Sequence, residues 1–235
     1  MSADPRPRRD SAAVADEAGA GHRPVLVVDF GAQYAQLIAR RVRECRVYSE
    51  IVPHDAPAAE LAARDPIGII LSGGPASIYE PGAPAVDPGI FDLGVPVLGI
   101  CYGMQAMAAA LGGEVSNTGI GEFGKTPVVL GEGSLLFGDL PPEQTAWMSH
   151  RDSVVRAPAG FSVTASSDTT PVAGMEDRDR GLYGVQFHPE VAHTPRGTDI
   201  LGHFVIEACQ APPTWTALQT EGKKLQREQA IGMSR

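Results

Sequence analysis

Apolar and polar positions along the chain fall into two regimes. Up to about residue 110, continuous apolar runs alternate with stretches of helical periodicity. Residues 24–29, Pro-Val-Leu-Val-Val-Asp, end at Phe30-Gly31 and have the pattern of a strand buried on both faces. Residues 33–44 place Tyr34, Leu37, Ile38 and Val42 on one side and arginines on the other, which predicts an amphipathic helix. A second strand is expected over 46–52, stopped by Pro53, then a short helix over 58–64 and a third strand over 68–71. A fourth strand, 96–100, runs directly into Cys101 and a helix from about Tyr102 to Ala110. Apolar strands alternating with helices imply right-handed βαβ units around a parallel sheet.

Beyond this point the period shortens. Segments 126–130, 145–148, 161–165 and 182–187 alternate apolar with polar residues, and are expected as antiparallel strands added to one edge. A last helix over 199–208 turns Ile200, Phe204 and Val205 inward. The expected fold is therefore α/β: an open, mainly parallel sheet flanked by helices, with added antiparallel strands. Residues 1–22 lack periodicity and read as a disordered leader. The Gln-, Lys- and Glu-rich stretch after Pro212-Pro213 reads as a linker or truncated tail, leaving 23–211 as the folded unit.

Composition narrows the functional classes. The 235 residues carry a formal net charge of −9, which disfavours a nucleic-acid surface built from clustered Lys and Arg. Apolar runs are too short to span a membrane, and the arginine-containing N-terminus has no apolar core of a secretory signal. Three cysteines without framework spacing fit a reducing cytoplasm.

The chemistry centres on Gly99-Ile100-Cys101-Tyr102-Gly103. A buried strand ends, the chain turns sharply within one residue, and a helix begins, as in a nucleophile elbow written with Cys in place of Ser. Such a turn puts sulfur at the carboxyl end of the sheet and at a helix N-terminus, which favours thiolate. Cys45 and Cys209 lack this context and read as packing residues. A thiol nucleophile needs a base and a group that orients the base. Gln186-Phe187-His188-Pro189-Glu190 offers both, because the extended chain around Pro189 projects 188 and 190 to similar sides. A metal site is not expected: Pro189 excludes a His-Glu-x-x-His helix, and His188 and His193 are five apart. Leu71-Ser72-Gly73-Gly74-Pro75 follows the third strand, where paired glycines can aim N–H groups into a cleft. With the elbow, the natural oxyanion donors are the N–H groups of Gly74 and Tyr102. The same stretch is not a Walker A loop, and Asp29-Phe30-Gly31 stands without any other kinase part.

In the order Gly-Gly-Pro, Gly-x-Cys-x-Gly, His-Pro-Glu, these motifs resemble the class I, triad-type glutamine amidotransferases, over about residues 24–210. The stretches Asp29-Phe-Gly-Ala-Gln-Tyr34, Cys101-Tyr-Gly-Met-Gln105, Trp147-Met-Ser-His150 and Pro212-Pro-Thr-Trp215 are similar to the amidotransferase portion of the GMP synthase family. The resemblance implies a flavodoxin-like sheet and a Cys101–His188–Glu190 triad. It also implies an oxyanion hole from Gly74 and Tyr102 and a glutamine pocket lined by Gln105, Ser149 and His150, the last two through backbone groups. It implies glutamine hydrolysis through a cysteinyl thioester, with no cofactor or metal in this chain. The implied partner is an ATP pyrophosphatase (synthetase) domain or subunit. ATP and Mg are implied only for that partner, which uses the ammonia to convert XMP to GMP. The loop type Ser-Gly-Gly-Val-Asp-Ser that marks it is not in this sequence, so the synthetase domain is expected to be absent and the chain unable to make GMP alone. The alternatives are an amidotransferase of another pathway, a γ-glutamyl peptidase on the same scaffold, or a non-catalytic truncated fragment.

Overall fold

The computed structural model describes residues 23–31, 33–74 and 77–216. The expected leader, 1–22, and the stretch 217–235 of the expected tail lie outside the described residues. Every element expected in the first half forms: β1 (Val25–Asp29), α1 (Tyr34–Glu44), β2 (Ser49–Pro53), α2 (Ala58–Ala63), β3 (Gly68–Leu71), β4 (Val97–Ile100) and α3 (Tyr102–Ala110). β2 starts three residues later than the apolar run suggests. Arg46 takes φ +61 to turn the chain out of α1, so Val47 and Tyr48 are buried before the ladder begins.

The second half contains β5 (Glu114–Leu130), β6 (Glu143–Arg156), β7 (Ser162–Ser166), β8 (Gly174–Asp177), β9 (Leu182–Val185) and α4 (Gly197–Gly202), the last continued by a π-helical segment, His203–Ala208. β5 and β6 are far longer than their alternating cores, because glycines and polar residues at 117–124 hide the ladder from a hydropathy pattern. β8 has no counterpart among the expected strands.

The strands form one sheet in the order β2-β1-β3-β4-β9-β8-β7-β5-β6. β2, β1, β3, β4 and β9 run parallel, and β9 to β6 are joined by antiparallel ladders. One expectation is corrected here. Alternation groups residues 182–187 with the antiparallel edge strands, yet β9 lies inside the sheet, parallel to β4 with Val97 opposite Leu182 and Ile100 opposite Val185. Its other side pairs antiparallel with β8. A four-residue apolar strand carries no record of its neighbour's direction; only the return of the chain from β8 places it beside β4.

Alternation along the parallel strands divides the core. Val25, Val27, Ile70, Leu98 and Val185 face α1 and the C-terminal helical segment, meeting Ile38, Val42, Ile200, Phe204 and Val205. Leu26, Val28, Ile69, Leu71 and Val97 face the opposite layer, meeting Leu61 of α2, Ile90 and Phe91 of a 3₁₀ turn, and Met104 and Met107 of α3. Each such side chain contributes on the order of 1.5–3 kcal/mol on leaving water. These two layers hold the strand ends in fixed positions, which is what a site at the carboxyl edge requires. Among the described residues no helix is long and apolar enough to cross a membrane.

Candidate active site

Cys101 sits between β4 and α3 with φ +52 and ψ −106, a conformation that costs a non-glycine residue about 1–3 kcal/mol. The surroundings hold it there. Its N–H donates to the Val185 carbonyl at 2.8 Å, and its carbonyl accepts from the Gln105 N–H at 3.1 Å. The flanking glycines allow the close approach. A Cβ on Gly99 would lie 2.6 Å from the Met104 nitrogen, and one on Gly103 would lie 2.3 Å from the Leu71 carbonyl oxygen. With no side chain in the way, the Gly103 N–H donates to the Ser72 carbonyl at 3.1 Å and seals α3 against the end of β3.

His188 follows β9, the strand next to β4, and this adjacency brings it to Cys101. Its Nδ1 lies 2.7 Å from Glu190 Oε1, and both side chains are at most 2% exposed. The backbone around it is pinned: the His188 N–H donates to the Trp147 carbonyl, and its carbonyl accepts from the Thr194 hydroxyl at 2.7 Å. Thr194 in turn accepts from the Trp147 N–H, and Arg41 Nε donates to the Glu190 carbonyl. Tyr34 packs on the ring, with ring centres 4.5 Å apart, and Gly73 lies close to both, since a Cβ there would come within 3.0 Å of His188 Cε1 and 3.4 Å of Tyr34 Cδ2. Burial of the imidazole disfavours its charge, but the Cys101 thiolate and the Glu190 carboxylate outweigh burial and push its pKa up to about 11. Because Nδ1 is committed to Glu190, Nε2 is the nitrogen free to exchange a proton at the sulfur. His188 is therefore held in its protonated form through neutral pH.

Cys101, His188, Tyr102, Gly74, Gln105, Ser149 and His150 all line one cleft of about 540 Å³, and Glu190 stands behind His188. The structure thus gathers every residue expected in the site at one place. That volume suits a small molecule. Gly74 packs directly on Tyr102, since a Cβ there would lie 2.7 Å from the ring. Ser149 presents its carbonyl oxygen 3.9 Å from Cys101 Sγ. Gln105 is turned partly inward, with Nε2 donating to the Asp152 carbonyl at 2.6 Å. The His150 ring is tied to its own sheet edge: Nε2 lies 3.2 Å from Glu122 Oε2, and Nδ1 lies 3.0 Å from the Asp152 carbonyl. His193 stacks on Trp147 and does not join His188.

Two residues without a sequence-based role belong to this picture. Gln186 is completely buried, with Nε2 3.7 Å from Cys101 Sγ. It precedes His188 by two positions in the extended segment, and that alternation was the available signal. Glu122 had no signal, lying between Gly121 and Phe123 at the foot of an irregular stretch of β5 where the register to β6 jumps from Asn117 to Glu122. Its carboxylate accepts from the hydroxyls of Ser167, Thr169 and Thr170 and faces His150. Burial alone would raise its pKa, but the three hydroxyls and His150 hold it below the usual carboxylate range.

A parallel sheet with a strained cysteine elbow and a buried His–Glu pair on the adjacent strand defines an enzyme class. The family profile described as glutamine amidotransferase class-I matches residues 26–208, and the chain belongs to that family. At the level of individual relatives, it is 61% identical over 198 residues to a GMP synthase [glutamine-hydrolyzing] of Parafrankia sp., covering 84% of this chain and 37% of the relative. It is 58% identical over 212 residues to the protein of that name from Thermobifida fusca, covering 90% of this chain and 40% of the relative. The chain thus spans well under half the length of these relatives. Among solved structures, a Thermoplasma acidophilum protein provisionally described as one subunit of a GMP synthase superposes with a TM-score of 0.73 at 37% identity, covering 80% of this chain and 94% of that one. A glutamine amidotransferase of Thermotoga maritima shares the fold, with a TM-score of 0.62 at 19% identity, covering 81% of this chain and 99% of that one.

Proposed function

We propose that residues 23–211 form the glutaminase unit of a GMP synthase, releasing ammonia from L-glutamine for a synthetase unit that uses ATP to convert XMP to GMP. The observation that carries the reading is the Cys101 elbow facing a His188–Glu190 pair in one small-molecule cleft. The names of the relatives and of the Thermoplasma neighbour support the pathway assignment.

In this reading the Cys101 thiolate attacks the side-chain amide carbon of glutamine. The carbonyl electrons move to oxygen, where the N–H groups of Gly74 and Tyr102 stabilise the charge. As the tetrahedral intermediate collapses, the C–N bond breaks and His188 Nε2 gives its proton to the departing nitrogen, releasing ammonia. Neutral His188 then takes a proton from water as its oxygen attacks the thioester carbon. The C–S bond breaks, restoring thiolate and imidazolium and freeing glutamate. Glu190 holds Nδ1–H throughout, so the ring keeps one tautomer and one orientation. Gln105 and the backbone of Ser149 and His150 would grip the substrate's amino-acid end. Unpaired Cys45, Cys101 and Cys209 are compatible with a reducing cytoplasm.

The test is covalent labelling with a chloroketone analogue of glutamine, followed by peptide mapping, alongside glutamate release by wild type and Cys101→Ala. Label on Cys101, with activity abolished in a variant that retains its circular dichroism spectrum, is expected. Glutamate release unchanged in Cys101→Ala refutes the assignment. Ammonia-dependent GMP formation on adding a GMP synthase synthetase domain separates this pathway from other amidotransferases.

A further inference from the structure

Outside the triad, one buried polar side chain among the described residues touches the sulfur. Gln186 is wholly buried, and its amide has two polar neighbours: Cys101 Sγ, 3.7 Å from Nε2, and Gln105 Nε2, 3.4 Å from Oε1. Gln105 Nε2 also donates to the Asp152 carbonyl at 2.6 Å. Each donor in this series meets an acceptor. Asp152 accepts from Gln105, Gln105 donates to Gln186, and Gln186 donates to the sulfur. The opposite amide orientation would set Oε1 against an anionic sulfur and two NH2 groups against each other. The series therefore has one sense, fixed at its far end by the backbone of β6.

We propose that Gln186 is a further catalytic residue, whose amide N–H holds the Cys101 thiolate opposite His188, and that Gln105 positions that amide. The inference rests on Cys101 being the nucleophile. A buried thiolate with a single cationic neighbour can rotate with it or take back its proton; a second, neutral donor fixes sulfur in the attack rotamer and stabilises its charge without supplying a proton. It also ties sulfur to the strand that lines the glutamine pocket, since Asp152 lies two residues after His150. A buried Gln that merely fills space would not need both its oxygen and its nitrogen aligned in this order.

The test uses the full chain with Gln186→Met, which keeps volume and removes the donor. The readout is the pH profile of Cys101 alkylation by iodoacetamide, resolved from Cys45 and Cys209 by peptide mapping. The other titratable and charged groups around the sulfur among the described residues are His188 with Glu190 behind it, His150 with Glu122 behind it, Asp152, Tyr34, Tyr102, and Glu80 and Arg151 at the mouth. All are unchanged in the variant. Loss of a donor to the charged form is expected to move the alkylation midpoint up by about one pH unit and lower glutaminase kcat roughly tenfold, with KM changed less than about twofold. A midpoint that stays in place overturns the proposal, even if the variant melts at lower temperature, since a packing role would move only stability. Should Gln186→Met not fold, Gln186→Glu keeps the shape and the bond from Gln105, and must shift the midpoint in the same direction and further. Failure of the chloroketone to label wild-type Cys101 would instead remove the nucleophile assignment itself.

Discussion

Replacing Glu190 with Gln isolates the charge that stands behind the proposed base. The wild-type pair is 2.7 Å long and almost entirely removed from water, with Glu190 completely buried. Its second oxygen, Oε2, has no hydrogen-bond partner among the described residues. The amide in Glu190→Gln thus either turns its NH2 toward Nδ1–H or leaves that NH2 without an acceptor. In both cases imidazolium loses its buried counter-charge while the ring keeps its place against Tyr34 and Gly73. Removing one partner of a buried pair costs about 3–5 kcal/mol. At about 1.36 kcal/mol per decade, a barrier raised by that amount slows glutamate release between roughly 10²- and 10⁴-fold. The sign in pH follows from the same pair. The folded-state pKa of His188 is raised, so the protonated form persists through neutral pH and is lost only as pH climbs towards about 11. Without Glu190 that loss begins at lower pH, and the alkaline limb of kcat moves down by at least about one unit. The assay is coupled glutamate release by full-length protein, from about pH 6 to about pH 11, with circular dichroism at each pH as a control for folding. A folded Glu190→Gln protein with kcat within about threefold of wild type, or with an unmoved alkaline limb, would refute the reasoning.

Two further outcomes follow from contacts around the site. Gly103→Ala places a methyl 2.3 Å from the Leu71 carbonyl oxygen, so α3 must leave the end of β3. Overpacking against backbone is expected to cost at least about 1–3 kcal/mol, read as a lower midpoint in urea denaturation, and an unchanged midpoint would contradict the close packing described. Glu122→Gln puts an amide among three hydroxyl donors and His150, loosening β6 where it lines the cleft. Its expected signature is a KM for glutamine raised about tenfold with a smaller change in kcat, consistent with losing charge-assisted hydrogen bonds; equal KM would remove Glu122 from the pocket's support. Because the folded-state pKa of Glu122 is depressed, its stabilisation is present above the unfolded carboxylate value and lost as pH falls, so wild type and variant should converge in thermal stability on acidification.

Much of this molecule is written locally. The apolar runs at 25–29, 68–71 and 97–100 bury both faces and could only be central strands, while the arginine-backed stripe of Ile38 and Val42 could only be a surface helix. Cys101 was legible because an elbow is a local event: a strand, a residue and two glycines within five positions. His188 and Glu190 were legible as a pair because two alternate positions on an extended chain share a side. That the pair meets Cys101 was not local. It depends on β9 returning beside β4 in parallel, whereas alternation alone points to an antiparallel edge. The same return brings Gln186 under the sulfur. Glu122, placed by an irregular stretch of β5, likewise acquires its role only when the loop at 167–170 closes over it. Hydropathy records how deeply a residue is buried and with what period; it carries no information on which strand lies alongside. The sequence by itself determined most of the elements and the sharp turn at Cys101, and the strand order of the tertiary structure decided which polar groups face that sulfur.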